Sequence, residues 1–184
     1  MKNALLLTAA MLLAFSGAAN AAGPAVGGSL ALTGEVDGSV AMFFHQHTLG
    51  GGITLDTGDG TANPTALLSE VSKFGTADGV ILDGGNFTKT TQSDGFTLTG
   101  VVDVSVFKTN ITSTNYTLNA TLQAVDNLVW TLNGANVANG SQTQLTALGS
   151  YGSARFATTI AIKILNTLGA GVIGNTIDFT VTCN

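Results

Sequence analysis

The most constraining feature of this sequence is a strict alternation of apolar and polar residues from position 115 to position 124. The apolar positions are Tyr116, Leu118, Ala120, Leu122 and Ala124, and the polar positions are Asn115, Thr117, Asn119, Thr121 and Gln123. A period of two residues places successive side chains on opposite faces of a strand. This run therefore predicts a β-strand with one buried face and one solvated face.

The same period recurs along the chain, in runs separated by turns rich in glycine and asparagine. These runs cover Phe96 to Val106, Leu128 to Leu132, Phe156 to Ile164 and Ile177 to Cys183. The dipeptide Asn133-Gly134 predicts a tight hairpin after the second of them. Strands at this spacing predict an all-β protein, a single antiparallel two-sheet β-sandwich that is immunoglobulin-like or jelly-roll-like.

One stretch, Asn63 to Gly75, favours a short helix, so we expect at most one helix in the domain. Asn63 suits the N-cap and Pro64 the first helical position, while Gly75 suits the exit. The apolar residues at helical spacing are Leu67, Leu68, Val71 and Phe74. We expect such a helix to cover the sandwich rather than to form a site.

The first 21 residues have the pattern of an export signal. Lys2 precedes an apolar run, and Ala19 and Ala21 satisfy the small-x-small rule for cleavage. That run is shorter than the ~20 residues needed to span a bilayer as a helix. We therefore predict signal peptide cleavage near Ala21 and a secreted or cell-surface protein without a membrane anchor.

The mature chain is predicted to contain one domain after a short leader. Residues 22–28 are small and flexible, and residues 29–184 supply enough chain for one β-sandwich domain with its own core. The mature chain keeps five of the six cations and all eleven acids, so its formal net charge is −6. Nucleic acids and anionic lipids need clustered cations, so neither is an expected partner.

Only 9% of all residues are charged, well below the ~25% of a typical globular protein. Solubility must then depend on threonine, asparagine, serine and glycine. A surface with so little charge suits a protein that associates with copies of itself, which are the partners we expect.

The single cysteine, Cys183, excludes an intrachain disulfide. It shares the apolar parity of the last run with Ile177, Phe179 and Val181. We interpret it as a small buried residue of the final strand. An intermolecular disulfide is the alternative.

Two short motifs suggest metal ligands. His45 and His47 would point to the same side of a strand, as zinc or copper ligands do. Asp56 and Asp59 lie in a turn that resembles a fragment of a calcium loop but lacks its other ligands. Polar residues at a strand end and a turn built by aspartate and glycine explain both motifs without a metal. We therefore predict neither a metal nor a cofactor.

The sequence offers no catalytic constellation, and the protein is predicted not to be an enzyme. It contains no G-x-S-x-G motif, phosphate loop or dinucleotide fingerprint. Tyr116 and Trp130 lie on the apolar parity of their strands and are expected in the core. Tyr151, in a glycine- and serine-rich stretch, is the expected exposed aromatic residue, which leaves carbohydrate as a possible ligand.

A strand-like segment follows the leader directly. It reads Leu30-x-Leu-x-Gly-x-Val-x-Gly-x-Val40, with Leu30, Leu32 and Val36 on one parity. Together with the signal peptide and the threonine- and glycine-rich strands, this segment resembles subunits of bacterial surface fibres, the chaperone–usher pilins. The resemblance implies an incomplete immunoglobulin-like sandwich completed by the N-terminal strand of a neighbour.

The chain departs from that family at its end. Many such pilins contain two cysteines and a glycine and penultimate tyrosine in the last strand, whereas this chain ends Thr182-Cys183-Asn184. The tail could therefore be a complete final strand. We predict an exported, non-enzymatic subunit of an extracellular fibre, pilus- or fimbria-like, or of a surface assembly, with Leu30, Leu32 and Val36 as assembly residues. The alternative is a monomeric secreted module that binds carbohydrate or calcium.

Overall fold

A computed structural model of the chain describes residues 38–66, 72–79 and 86–184. These residues form nine strands: β1 Ser39–Gln46, β2 Thr88–Gln92, β3 Gly95–Thr109, β4 Asn115–Leu122, β5 Val129–Leu132, β6 Ala135–Val137, β7 Thr143–Ser150, β8 Phe156–Leu165 and β9 Ile177–Cys183. All pairings between them are antiparallel and build two sheets, which confirms the predicted all-β sandwich.

The larger sheet has the strand order β1-β3-β8-β5-β6. Its 15-residue strand β3 accepts two partners on one edge, because β2 pairs with its first half and β1 with its second half. β5 and β6 form the hairpin predicted from Asn133-Gly134, whose φ angles of 49° and 81° suit the tight turn.

The smaller sheet has the order β7-β4-β9. β4 contains the alternating run of the sequence and buries every second residue, from Tyr116 to Leu122. The last strand, β9, pairs with β4 from Leu122↔Ile177 to Tyr116↔Cys183. Among the described residues no strand pairs with the other edge of β9.

The core lies between the two sheets and follows the alternation of the sequence. Both Tyr116 and Trp130 are buried there, as predicted. Phe44 of β1 meets Phe179 of β9 across the core, with ring centroids 5.0 Å apart. At the other side the Thr143 hydroxyl of β7 donates to the Asn136 carbonyl of β6. The β1 edge therefore faces the β9 edge.

The described residues contain no helix, and the start of the proposed helix is extended instead. Ala66 forms an isolated antiparallel bridge with Leu55, and the Asp56 amide donates to the Thr65 carbonyl at 2.9 Å. Leu67, Leu68 and Val71 lie outside the described residues. No helix suited to crossing a membrane occurs in the part of the chain that the structure describes.

Two residues at the end of the sandwich differ from their predicted environments. Cys183 is exposed, although it pairs with the buried Tyr116, because it lies at the end of the edge strand β9. Tyr151 is half-buried rather than exposed, with its ring 5.2 Å from that of Tyr116. The signal peptide, the leader and the assembly residues Leu30, Leu32 and Val36 lie outside the described residues.

Candidate functional site

A polar cluster lies on the outer face of the larger sheet, where β1 and β3 pair. His45 is its centre: its Nε2 lies 2.7 Å from the Ser105 hydroxyl and its Nδ1 lies 3.2 Å from an Asp59 carboxylate oxygen. Ser105 comes from β3, whereas Asp59 comes from the loop that follows β1. The fold therefore joins two strands and one loop through a single imidazole.

Asp59 collects three donors. Its Oδ1 accepts the Gln46 amide at 2.9 Å, and its Oδ2 lies 3.2 Å from both His45 Nδ1 and the Arg155 guanidinium. The hydrogen bond from His45 contributes most to lowering the pKa of Asp59, and the Gln46 amide and Arg155 act in the same direction. Asp59 is thus held as a carboxylate that bridges β1 and the start of β8.

The second histidine makes a separate pair. His47 Nδ1 lies 2.7 Å from a carboxylate oxygen of Asp103, a residue that is only 6% exposed. Neither carboxylate is a close neighbour of the histidines in sequence, since Asp103 reaches His47 through the β1–β3 pairing and Asp59 reaches His45 through the return of the loop.

The order Ser105–His45–Asp59 is the order of a serine hydrolase triad. Ser105, however, is only 1% exposed and lies in the middle of a paired strand. A nucleophile needs an open approach for its substrate and donors for the oxyanion. In this conformation the arrangement therefore ties the loop to the sheet rather than presenting a nucleophile.

The four candidate metal ligands go to three different places. His45 and Asp59 meet, His47 pairs with Asp103, and Asp56 accepts the Thr65 amide at 2.7 Å. Within residues 38–66, 72–79 and 86–184 no three histidine, cysteine or acidic side chains are grouped to hold a metal ion.

A cavity of about 580 Å³ opens between the sheets. The larger sheet contributes an apolar wall that includes Phe44, Val102, Trp130, Ile160 and Ile162, whereas polar residues such as Asn63, Gln123, Asn175 and Asp178 line the rest. In residues 38–66, 72–79 and 86–184 the smaller sheet has three strands, and these do not cover the whole inner face of the six-stranded sheet. The volume of the cavity is within the usual range of ligand sites.

Two chain segments form opposite sides of this cavity. On one side the consecutive residues Ile177, Asp178 and Phe179 of β9 line it, and on the other side residues 62–66 do. Successive residues of a strand point to opposite faces. Because consecutive residues of β9 reach the cavity, it runs along the backbone edge of β9 and not only along its inward face.

The free edge of β9 lacks the usual protection against strand pairing. Its seven residues contain no proline and no lysine, and Asp178 is its one charged residue. Edge strands of soluble proteins are commonly blocked by such residues. In the part of the chain that the structure describes, the β9 edge therefore offers backbone donors and acceptors next to this cavity.

No protein-family model matches this chain, and the searches of curated proteins and of solved structures found no significant match either.

Proposed function

We propose that this protein is an exported subunit of an extracellular fibre or surface assembly, in which a strand from a neighbouring copy occupies the cavity and pairs with β9. The observation that carries the proposal is that the β9 edge, which has no strand partner among the described residues, lies beside a cavity of about 580 Å³ with an apolar wall. Strand addition needs both features, since backbone bonds give affinity and side-chain pockets give specificity.

The occupant we propose is the segment around Leu30 and Leu32 of a second copy. These leucines alternate with small residues, and they follow a predicted flexible leader. Only two acidic residues, Glu35 and Asp37, lie between Leu32 and the first strand. A nearly uncharged segment of this kind suits a cavity whose described lining residues include one acid, Asp178, and no cation.

The energetics require the cavity and the strand edge together. Burying two leucine side chains contributes roughly 3–6 kcal/mol. Ordering about five backbone residues costs roughly 5–10 kcal/mol. Ladder hydrogen bonds at roughly 0.5–1.5 kcal/mol each must supply the difference. Burial of Val36, the next apolar residue on the same parity, would add to the free energy gained from burying the two leucines.

The observations favour this function over a calcium or carbohydrate module. Asp56 and Asp59 already accept backbone amides. Tyr151 packs on Tyr116, and the Lys108 ammonium lies 4.9 Å from its ring centroid. These contacts already engage the carboxylates and the aromatic ring that a calcium ion or a sugar would need.

The proposal is tested with two double variants of the mature chain that differ only in parity. Leu30→Asp with Leu32→Asp places charges on the apolar parity, and we expect it to abolish assembly, because a buried unpaired charge costs several kcal/mol. Ala31→Asp with Thr33→Asp adds the same charge on the other parity and should still assemble. Assembly is measured by light scattering and electron microscopy.

A wild-type mature chain that stays monomeric at all concentrations would contradict the proposed function. Equal assembly of the two double variants would contradict the choice of Leu30 and Leu32 as the inserted residues.

A further inference from the structure

Residues 52–66 contribute to both the cavity and the outer polar cluster. Ile53 and Leu55 are buried and line the cavity, as do residues 62–66. Asp59, between them in sequence, reaches the opposite side of β1 and joins His45 and Arg155. The outer cluster is therefore physically connected to a wall of the cavity.

The backbone of this segment is fixed to the sheet at two places. Near its start the Ile53 amide donates to the Val101 carbonyl at 2.8 Å. Near its end Thr61 and Phe44 exchange backbone hydrogen bonds, with the Phe44 amide 2.7 Å from the Thr61 carbonyl. The Asp59 side chain adds the lateral contacts, and we call Asp59 with His45, Gln46 and Arg155 the Asp59 clasp.

The contacts of the clasp are within hydrogen-bond distance, but two of its side chains are exposed to solvent. The Asp59 side chain is 51% exposed and that of Arg155 is 38% exposed, whereas that of His45 is 13% exposed. Water can replace the carboxylate contacts of Asp59 at little cost. The clasp can therefore open without disrupting the core, unlike the buried contacts of Ile53 or Leu55.

We propose that the Asp59 clasp holds residues 56–66 against β1. Breaking its contacts moves this wall of the cavity and thereby controls entry of a strand. This inference rests on the proposed function for its occupant, the Leu30–Leu32 segment of a second copy. Asp59 is a positioning residue: it contacts β1 and Arg155, and it acts on the cavity only through the wall that it holds.

The clasp is tested by amide hydrogen exchange in the assembly-blocked Leu30→Asp, Leu32→Asp chain. Asp59→Ala should increase exchange at Phe44, Gly60 and Thr61 by about three- to tenfold, because local opening governs exchange at these amides. Asp59→Asn keeps an acceptor for the Gln46 amide and should show a smaller increase. Asp94→Ala, which removes the exposed pair with Lys163, is the matched control and should change none of these amides.

A second readout is the assembly rate of the otherwise wild-type mature chain. Asp59→Ala should assemble about three- to tenfold faster than both the wild type and Asp94→Ala. Unchanged exchange in Asp59→Ala would overturn the clasp, and so would faster exchange with unchanged or slower assembly. Absence of assembly by the wild type would overturn the proposed function and its strand-entry step, while the exchange result would still decide whether Asp59 holds the wall.

Discussion

At the residue scale, the least expected feature is the burial of Lys89. Its side chain is 1% exposed, and its ammonium donates to the carbonyls of Lys73 and Thr76 and to Asp78. Asp78 has its pKa lowered to about 2, chiefly by the hydrogen bond from the Thr91 hydroxyl. Lys89 thus anchors residues 73–78 to β2 through hydrogen bonds to two of their backbone carbonyls and to Asp78.

We predict that Lys89→Met lowers the free energy of unfolding by about 1–3 kcal/mol, because the hydrogen bonds of the ammonium to two carbonyls and to Asp78 are lost. The control is Lys163→Met, which removes a more exposed ion pair with Asp94 and should cost at most about 1 kcal/mol. Urea denaturation at neutral pH measures both. Equal stability losses in the two variants would show that Lys89 is not such an anchor.

The outer cluster shows how far single residues could be identified from the sequence. His45 and Asp59 were selected as candidate ligands, and they do meet. Ser105, Asp103 and Arg155 were missed, because they reach the cluster only through the β1–β3 register and the start of β8. Cross-strand register depends on the whole sheet, and no local pattern in the sequence encodes it.

At the element scale, strands with regular alternation were predicted and irregular ones were not. β3, β4, β5, β8 and β9 follow the predicted apolar runs. β7 was missed because Leu148, which is 73% exposed, lies on its outward parity while the inward position is Gly149. Its pairing with β4 also contains register shifts near Tyr116 and Leu118. Such shifts break the period of two that identifies strands.

Gly149 accounts for part of this irregularity. A Cβ atom at this position would lie 2.2 Å from two ring atoms of Tyr116, which is itself 1% exposed. We predict that Gly149→Ala lowers the free energy of unfolding by about 1–3 kcal/mol through overpacking. Gly50→Ala, at a position with no atom within 4 Å of the added Cβ, is the control and should be nearly neutral. Thermal unfolding that does not separate the two variants would contradict this role of the Tyr116 ring.

At the scale of the whole molecule, the two sheets are unequal. Among the described residues the larger sheet contains six strands and the smaller three, so part of the inner face of the larger sheet borders a cavity instead of a strand. The alternation in the sequence predicted two sheets but not their sizes, since strand order depends on tertiary pairing. Under the proposed function, the domain is complete only when another strand lies beside β9.

The most direct test of whether a strand from a second copy lies beside β9 uses the native thiol at the end of β9. Cys183 is exposed and lies on the parity of β9 that faces inward. Gly28 and Gly34 flank Leu30 and Leu32 on the same parity. A cysteine at either position forms a disulfide with Cys183 only if the Cα atoms approach to about 4.4–6.8 Å.

Single variants Gly28→Cys and Gly34→Cys of the mature chain are oxidised mildly and separated without reductant, with Cys183→Ser added to each as the control. We predict a ladder of disulfide-linked chains in at least one variant, abolished by Cys183→Ser, and the variant that reacts gives the direction of the inserted strand. An intrachain disulfide in a monomer, or no disulfide with Cys183 in either variant, would contradict strand insertion beside β9.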